Sequence, residues 1–503
     1  MSALPSRRWI VGRLVASGLL TPAAFWAFAA TAARNGTNLG SLLLFAARRH
    51  GGAAALVEDG RALSFAELAG QCERMAAHLR DAHAIGRGDV VGILCRNGAG
   101  LVRGVFAAAR LGARVTLLNP EMAPPQLADL AARHRIKLVI AEADTETLLA
   151  GSPCPVHRSD ALLAAAPAAY RRLGRIGGGE LVVLTGGTTG PPKAAARKPS
   201  PLAFLRLFLH LVAALGLDRY PSAYVGVPLF HGYGIAAFLV ALTLGRTAHL
   251  TRRFDSAAAC ALIDRERIEA AVVVPSLLRR MLAEAADLSS LRCVISGGAA
   301  LPPPLAIETR KRLGDVLFNL YGTSEGGVAI FAAPADLAAA PDTIGREIWG
   351  VRVTIRDSDD RIVPDGETGR ICVESSAAIS RAGWIETGDI GLRGAEGRLF
   401  VRGRADDMIV SGGENVSPWE VETVLMTHPQ VREAAAIGVP DPDFGQRLVA
   451  FVVPRPGTAL DAAEVAAWLA ERVARYQRPR AIHIVPDLPL TAIGKVDRKA
   501  LRG

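Results

Sequence analysis

The chain has little lysine. Only Lys137, Lys193, Lys198, Lys311, Lys495 and Lys499 occur among 503 residues, so the formal charge of +10 is carried almost wholly by arginine. Those arginines are dispersed, and no basic run is interleaved with aromatics, which removes the usual footprint of a nucleic-acid binder. Cys-x-x-Cys pairs are also missing. The six cysteines (Cys72, Cys95, Cys154, Cys260, Cys293, Cys372) lie far apart, which argues against structural zinc and for a reducing, cytoplasmic compartment. No internal repeat is visible. Half the residues are hydrophobic and a fifth charged, so the chain is globular and long enough for more than one domain. A positive surface suits anionic substrates or acidic lipid headgroups.

Charge is absent again over residues 14–33, after Arg7, Arg8 and Arg13. The run is long enough to span a bilayer. Alanine dominates it, however, and Gly18 and Pro22 interrupt it. Residues 1–50 therefore read as apolar helices lying against the body or on a membrane surface.

A further absence is the Gly-Lys-Ser/Thr of a Walker A loop. In its place stands an apolar run, Leu181 to Leu184, that empties into Thr185-Gly186-Gly187-Thr188-Thr189-Gly190-Pro191-Pro192-Lys193. Glycines let backbone N–H groups close around an anion, hydroxyls add donors, and a lysine adds charge. The stretch reads as a phosphate-holding loop, with an ordinary glycine-rich turn as the alternative.

Upstream, Ser64-Phe65-Ala66-Glu67 is a capping box, followed by Leu68, Cys72, Met75 and Leu79 at helical spacing. Strands at 90–94, 115–118 and 138–141 alternate with helices at 101–110 and 127–133. This βαβ rhythm predicts a parallel sheet covered by helices. Residues 161–179, rich in alanine, proline and glycine, read as a connector.

Downstream, apolar strands at 224–227, 271–274, 291–295 and 316–320 release small or polar residues at their carboxyl ends, where ligands sit in open α/β sheets. Those residues include His231, Gly297-Gly298-Ala299, Asn319 and Tyr321-Gly322-Thr323-Ser324-Glu325. Short strands and turns over 344–400 predict a β-rich subdomain. The last stretch is large enough for a small α+β domain, with helices at 418–426 and 462–475 and strands at 434–439 and 448–453. The expected division is an N-terminal segment at 1–50, a large α/β domain at 51–403 and a mobile C-terminal domain at 404–503.

Thr185–Lys193, Tyr321–Glu325, Thr387-Gly388-Asp389, residues 403–422 and residues 490–498 resemble, in order, the core motifs of the adenylate-forming enzymes. These include acyl-CoA synthetases, peptide-synthetase adenylation domains and firefly luciferase. The resemblance implies ATP-dependent activation of a carboxylic acid to acyl-AMP, then transfer to coenzyme A. It implies that Thr185, Thr188, Thr189 and Lys193, with the backbone of Gly186, Gly187 and Gly190, hold the β- and γ-phosphates. Glu325 would hold Mg²⁺ and Ser324 would touch the α-phosphate. Tyr321 would stack on adenine beside Gly297, Gly298 and Ala299, Asp389 would bind the ribose, and Arg404 would assist. His231 would stand beside the substrate carboxylate.

Lys495 would bridge carboxylate and α-phosphate. Asp406 would be the hinge that exchanges the lysine loop for a glycine loop containing Gly412 and Gly413. The family more often has serine at Gly186, glycine at Ala194 and threonine at Ser324. The chemistry fits these residue types, because an anion must attack an anion and fixed positive charge has to gather there.

Apolar stretches at 230–244, 272–278 and 297–301 favour a fatty or other apolar acid over an amino acid. Residues 438–445 look like the acyl-CoA synthetase form of a loop near the acceptor. An acyl-AMP ligase loading a carrier protein, an oxygenase on the same scaffold, and a non-catalytic adenylate sensor remain the alternatives.

Overall fold

The computed structural model describes residues 12, 15, 18, 21–152, 154–185, 193–196, 201–323, 326–375, 383–411, 414–491 and 494–502; side chains at 184, 185, 193–196, 201–207, 410 and 415 are left aside. It divides into two compact units, one of residues 2–273 and 283–294, the other of residues 274–282 and 295–503.

In the first unit, six strands form a sheet in the order Val156–Arg158, Leu138–Ala141, Val90–Leu94, Arg114–Leu117, Glu180–Thr185, Lys193–Ala196. The first five are parallel, as the alternating rhythm predicts, and the last turns back antiparallel. The capping box at Ser64 and Glu67 is formed in full and starts the helix Phe65–His83. Its face of Leu68, Cys72, Met75 and Leu79 is buried. A second parallel group sets Ala270–Val273, Ser222–Val225, Thr247–Leu250 and Ala54–Glu58 side by side, and Arg61–Ser64 closes it as a hairpin. Alternating buried strands and covering helices account for this layering.

The 161–179 stretch is not wholly a connector. The helix Ser159–Ala165 takes its first residues. The remainder lies along the N-terminal helices, where Ile176 N–H donates to the Asn35 carbonyl and Gly178 N–H to that of Thr37. Arg110, 1% exposed, pins this arrangement through Glu73 and the carbonyls of Leu173 and Gly174.

The second unit carries the β-rich part, with strands Val351–Arg356, Thr368–Ser375, Ile385–Arg393, Leu399–Arg404, Thr343–Glu347, Gly327–Ala332 and Leu317–Thr323 in that antiparallel order. Ile330, Ile344, Val353, Ile355, Ile371, Val373 and Leu399 form its core. The C-terminal sheet runs Glu414–Val416, Ile409–Ser411, Gly445–Pro454, Val431–Asp441, with Ala481–Ile484 parallel to Gly445–Pro454.

Three expectations change. The strand expected at 316–320 continues through Tyr321 to Thr323, because Gly327–Ala332 turns back and pairs with it. Residues 438–441 are strand and not loop: the hairpin runs to Asp441↔Gly445, with Pro440 opposite Gln446. The last long helix stops at Ala470 instead of 475, where Arg472 and Val473 N–H groups fold back onto the Leu469 carbonyl. All six cysteines are free and buried. No helix among the described residues is long and apolar enough to cross a membrane.

Candidate active site

In the first unit, Thr185 and Lys193 are register partners across an antiparallel pair. The strands that flank the glycine- and threonine-rich stretch therefore run antiparallel to each other. Gly186, Gly187, Thr188, Thr189 and Gly190 lie outside the described residues.

His231 caps the helix Gly232–Thr243 from an extended backbone conformation, and its carbonyl accepts from Ile235 N–H at 3.0 Å. Its ring lies 4.7 Å from that of Phe230. Gly234 has to be glycine, since a Cβ would sit 2.1 Å from the Pro228 carbonyl oxygen. Immediately before Gly98, the buried Asn97 reaches this loop from beyond the carboxyl end of Val90–Leu94. Its Nδ2 donates to the Val227 carbonyl at 3.1 Å, and its Oδ1 accepts from Leu229 N–H at 2.7 Å. Asn97 was not among the expected site residues, although the rule that ligands gather at strand carboxyl ends would have pointed to it.

Asn97→Leu leaves a buried N–H and a buried carbonyl unpaired. At about 1–3 kcal/mol for each, urea unfolding should shift to clearly lower midpoints. Since the resemblance places His231 beside the substrate carboxylate, the same change, by removing the anchor of its loop, should raise KM for the acid.

In the second unit, four expected residues come together. Tyr321 Oη donates to Asp389 Oδ2 at 2.5 Å, and Arg404 Nη1 donates to Asp389 Oδ1 at 3.2 Å. Arg404 also grips Asp406 through Nε and Nη2, at 2.8 and 3.2 Å. Asp389 and Arg404 face each other in the strand ladder, which fixes the distance between them. The turn is held from behind, with Thr387 Oγ1 donating to the Ile371 carbonyl and accepting from Asp389 N–H. Gly388 has φ +78°, and a Cβ there would meet Arg404 at 2.9 Å.

The phenol–carboxylate contact was not foreseen, since Tyr321 was expected to use its ring and Asp389 its oxygens. The two roles remain compatible. A carboxylate offers about four lone-pair sites, so each Asp389 oxygen keeps one free for a ribose hydroxyl. Burial raises the Asp389 carboxyl above its ordinary range, while the Tyr321 bond and Arg404 act against that. Burial and the neighbouring Asp389 raise the Tyr321 phenol as well. Arg404 is raised, chiefly by its bonds to Asp406.

Lys495 lies in the same electrostatic neighbourhood. Its pKa is lowered from 10.5 by burial and then by Arg404, with Asp389 working in the opposite sense. The loop that presents it is tight, with Thr491 N–H donating to the Lys495 carbonyl at 2.7 Å and Gly494 N–H to that of Thr491 at 2.8 Å. Gly494 has φ +74° and packs on the start of the helix Pro275–Ala283, where a Cβ would lie 2.5 Å from Ser276 Oγ. An ion pair from that helix, Arg279 to Glu433 at 2.6 Å, joins it to the hairpin strand Val431–Asp441.

A second unforeseen anchor is Arg498. It binds Glu422 at 2.6 and 3.1 Å and the Ala436 carbonyl at 2.5 Å, while Ala436 N–H donates to Glu422.

Among the other expected residues, Asn319 is buried on the strand that carries Tyr321. Gly322 sits at a register shift where a Cβ would lie 2.2 Å from the Gly327 carbonyl oxygen, and Thr323 Oγ1 accepts from Gly326 N–H. Gly297 ends the strand Cys293–Gly297, Gly298 follows with φ +77°, and Ala299 is half-buried. Ser324, Glu325, Gly412 and Gly413 lie outside the described residues.

Residues 44–381 match the AMP-binding enzyme family, and residues 420–495 match the AMP-binding enzyme C-terminal domain. The indoleacetate–CoA ligase of Aromatoleum aromaticum is 34% identical, across 88% of this chain and 93% of its own length. A feruloyl-CoA synthase of an Amycolatopsis species is 31% identical, across 92% and 98%. Among solved structures, the o-succinylbenzoate CoA synthetase of Bacillus subtilis, in complex with its acyl-adenylate intermediate, superposes with a TM-score of 0.81 at 26% identity. That match covers 93% of this chain and 99% of the other.

Proposed function

Because this chain belongs to the AMP-binding enzyme family, we propose that it activates a carboxylic acid bearing an aromatic ring as the acyl-adenylate and passes the acyl group to coenzyme A. AMP-forming ligation of an acid to a thiol is its activity, as in the relatives named as CoA ligases and synthetases. The observation that carries the mechanism is the convergence of Tyr321, Asp389, Arg404 and Lys495 in one unit.

In the proposed first step the carboxylate oxygen attacks the α-phosphorus of MgATP and pyrophosphate leaves. Asp389 receives the ribose hydroxyls, Arg404 braces Asp389, and the Lys495 ammonium meets the negative charge gathering between carboxylate and α-phosphate. Such a preorganised donor acts on charge that develops in the transition state. The glycine- and threonine-rich stretch after Thr185 would hold the outer phosphates, and Glu325 would be the protein ligand of the Mg²⁺ that comes with the nucleotide. In the second step the CoA thiol attacks the acyl carbon and AMP departs. Rotation about Asp406 would withdraw Lys495 for that step and bring in the loop of Gly412 and Gly413, with residues 404–503 moving as one domain.

For the acid, the names of the relatives move the reading from a fatty acid to an aromatic one: indoleacetate and ferulate are both monocarboxylates with an aromatic ring. Phe230, tilted against the His231 ring, and the half-buried Tyr233 offer rings suited to such a partner. ATP–pyrophosphate exchange over indole-3-acetate, ferulate, benzoate and decanoate, followed by CoA consumption, tests this. A kcat/KM for the best aromatic acid about tenfold or more above decanoate is expected, since ring-shaped and extended apolar groups differ by a few methylenes' worth of fit. Preference for decanoate would restore the fatty-acid reading. Acyl-AMP release without CoA turnover would favour a carrier-protein acceptor.

A further inference from the structure

The helix Pro22–Asn35 carries its side chains the wrong way round for a helix that packs only on protein. Its buried positions are the small residues Ala24 and Thr31. Its large aromatics face outward, with Phe25, Trp26 and Phe28 exposed by 65%, 69% and 55%. A helix that merely covered a core would bury the rings and expose the alanines.

The helix is nevertheless firmly seated. Thr21 caps its start, Ile176 N–H and Arg110 bind Asn35 at its end, and the Phe28 ring meets that of Phe45 edge-on at 6.0 Å. A fixed helix that displays adjacent Phe and Trp on an open face presents a ready-made apolar contact.

Charge identifies what that face meets. Six arginines (Arg7, Arg8, Arg13, Arg34, Arg48, Arg49) precede the first acidic residue of the chain, Glu58. Arg34 in the last turn of this helix and Arg48 in the last turn of Leu39–His50 are exposed, and neither has an acidic partner among the described residues. A hollow of about 550 Å³ that starts at Asn35 is lined by Arg48, Arg172 and Tyr170, with Glu73 in its wall already held by Arg110. A second copy of the chain would bring these like charges together, which opposes self-association through this face. An anionic lipid surface takes both the rings and the charge: aromatic side chains settle at headgroup depth, and arginines pair with acidic headgroups.

We propose that the helix Pro22–Asn35 docks the enzyme on the surface of bilayers containing anionic phospholipid, with Phe25 and Trp26 entering the interface and Arg34 and Arg48 facing the headgroups. The helix lies in the plane of the membrane: at 14 residues it is too short to cross one. This docking is independent of which acid the catalytic site takes.

The test uses the full chain and sedimentation with vesicles of phosphatidylcholine alone, or of phosphatidylcholine with a minority of phosphatidylglycerol. The chain should bind the anionic vesicles and leave the neutral ones largely unbound, and raised salt should release it. Phe25→Ser with Trp26→Ser, and separately Arg34→Gln with Arg48→Gln, should each weaken vesicle binding about tenfold or more, while ATP–pyrophosphate exchange and thermal midpoint stay unchanged.

Absence of binding to anionic vesicles overturns the proposal. So does binding that both double variants retain. Light scattering that shows a dimer abolished by Phe25→Ser with Trp26→Ser, without vesicle binding, would assign the face to a second copy instead. Should the aromatic variant misfold, the arginine variant and the salt dependence decide.

Discussion

Lys495→Ala slows ATP–pyrophosphate exchange by about 100- to 1,000-fold, or ~3–4 kcal/mol of transition-state stabilisation, and leaves transfer from a supplied acyl-AMP to CoA close to the wild-type rate. The physical reason is that the two half-reactions place charge differently. Adenylation drives a carboxylate against a triphosphate, so a fixed ammonium between them is worth most there. Thioester formation starts from an adenylate in which the carboxylate charge is already gone. In this structure Lys495 shares its surroundings with Asp389 and Arg404, as the proposed first step requires.

The pH dependence follows from the same placement. Burial and Arg404 lower the Lys495 pKa, and the protonated form is the active one. The alkaline limb of kcat/KM for adenylation should therefore fall at a pH below the ordinary lysine value of 10.5. Lys495→Arg, whose guanidinium stays charged, should remove that limb while retaining part of the rate. Equal loss of both half-reactions in Lys495→Ala would assign the residue to structure instead.

Arg498→Ala should destabilise the protein by about 3–5 kcal/mol, because it leaves a buried carboxylate without its cation. Glu422 has an 8% exposed side chain, and its remaining partner among the described residues is the Ala436 N–H at 2.6 Å. Arg498 also supports the Ala436 carbonyl and lies near Asp407, so one side chain ties the end of the chain to the helix Pro418–Leu425 and to the central hairpin. It stands three positions after Lys495, so loosening it would loosen the loop that carries Lys495 as well. Urea unfolding measures the loss. The double change Arg498→Met with Glu422→Leu should recover part of it, since no charge is then stranded and only the Ala436 N–H and carbonyl lose their side-chain partners. A loss below about 1 kcal/mol in the single variant would mean that this pair acts as a surface contact.

The parts of the fold that were legible are those written in local pattern. The capping box at Ser64 and Glu67 marked its helix to the residue. The buried strand Val90–Leu94 is announced by an unbroken apolar run. The family was legible because five motifs occur in order, and the matches over 44–381 and 420–495 bear that out.

What stayed hidden depends on partners distant in sequence. Tyr321 reads as a ring for stacking, and its hydrogen bond to Asp389, 68 residues away, becomes visible only once two strands that are not ladder neighbours meet in space. Asn97 is 130 residues from the Val227 carbonyl that it holds. Pro440 looked like a loop residue because proline cannot donate to a ladder, yet the hairpin runs through it. The acid was read from apolar stretches that any core would also contain, which is why chain shape, fatty or aromatic, was beyond that signal.

The route of the carboxylate oxygen tests the central claim most directly. With both carboxylate oxygens of the acid labelled with ¹⁸O, turnover with ATP and CoA should deliver one labelled oxygen into AMP and none into pyrophosphate, because the oxygen that attacks the α-phosphorus stays there when the thiol cleaves the acyl–oxygen bond. Label found in inorganic phosphate, with ADP as the nucleotide product, or AMP formed without label, would contradict an acyl-adenylate built at Lys495 and Asp389.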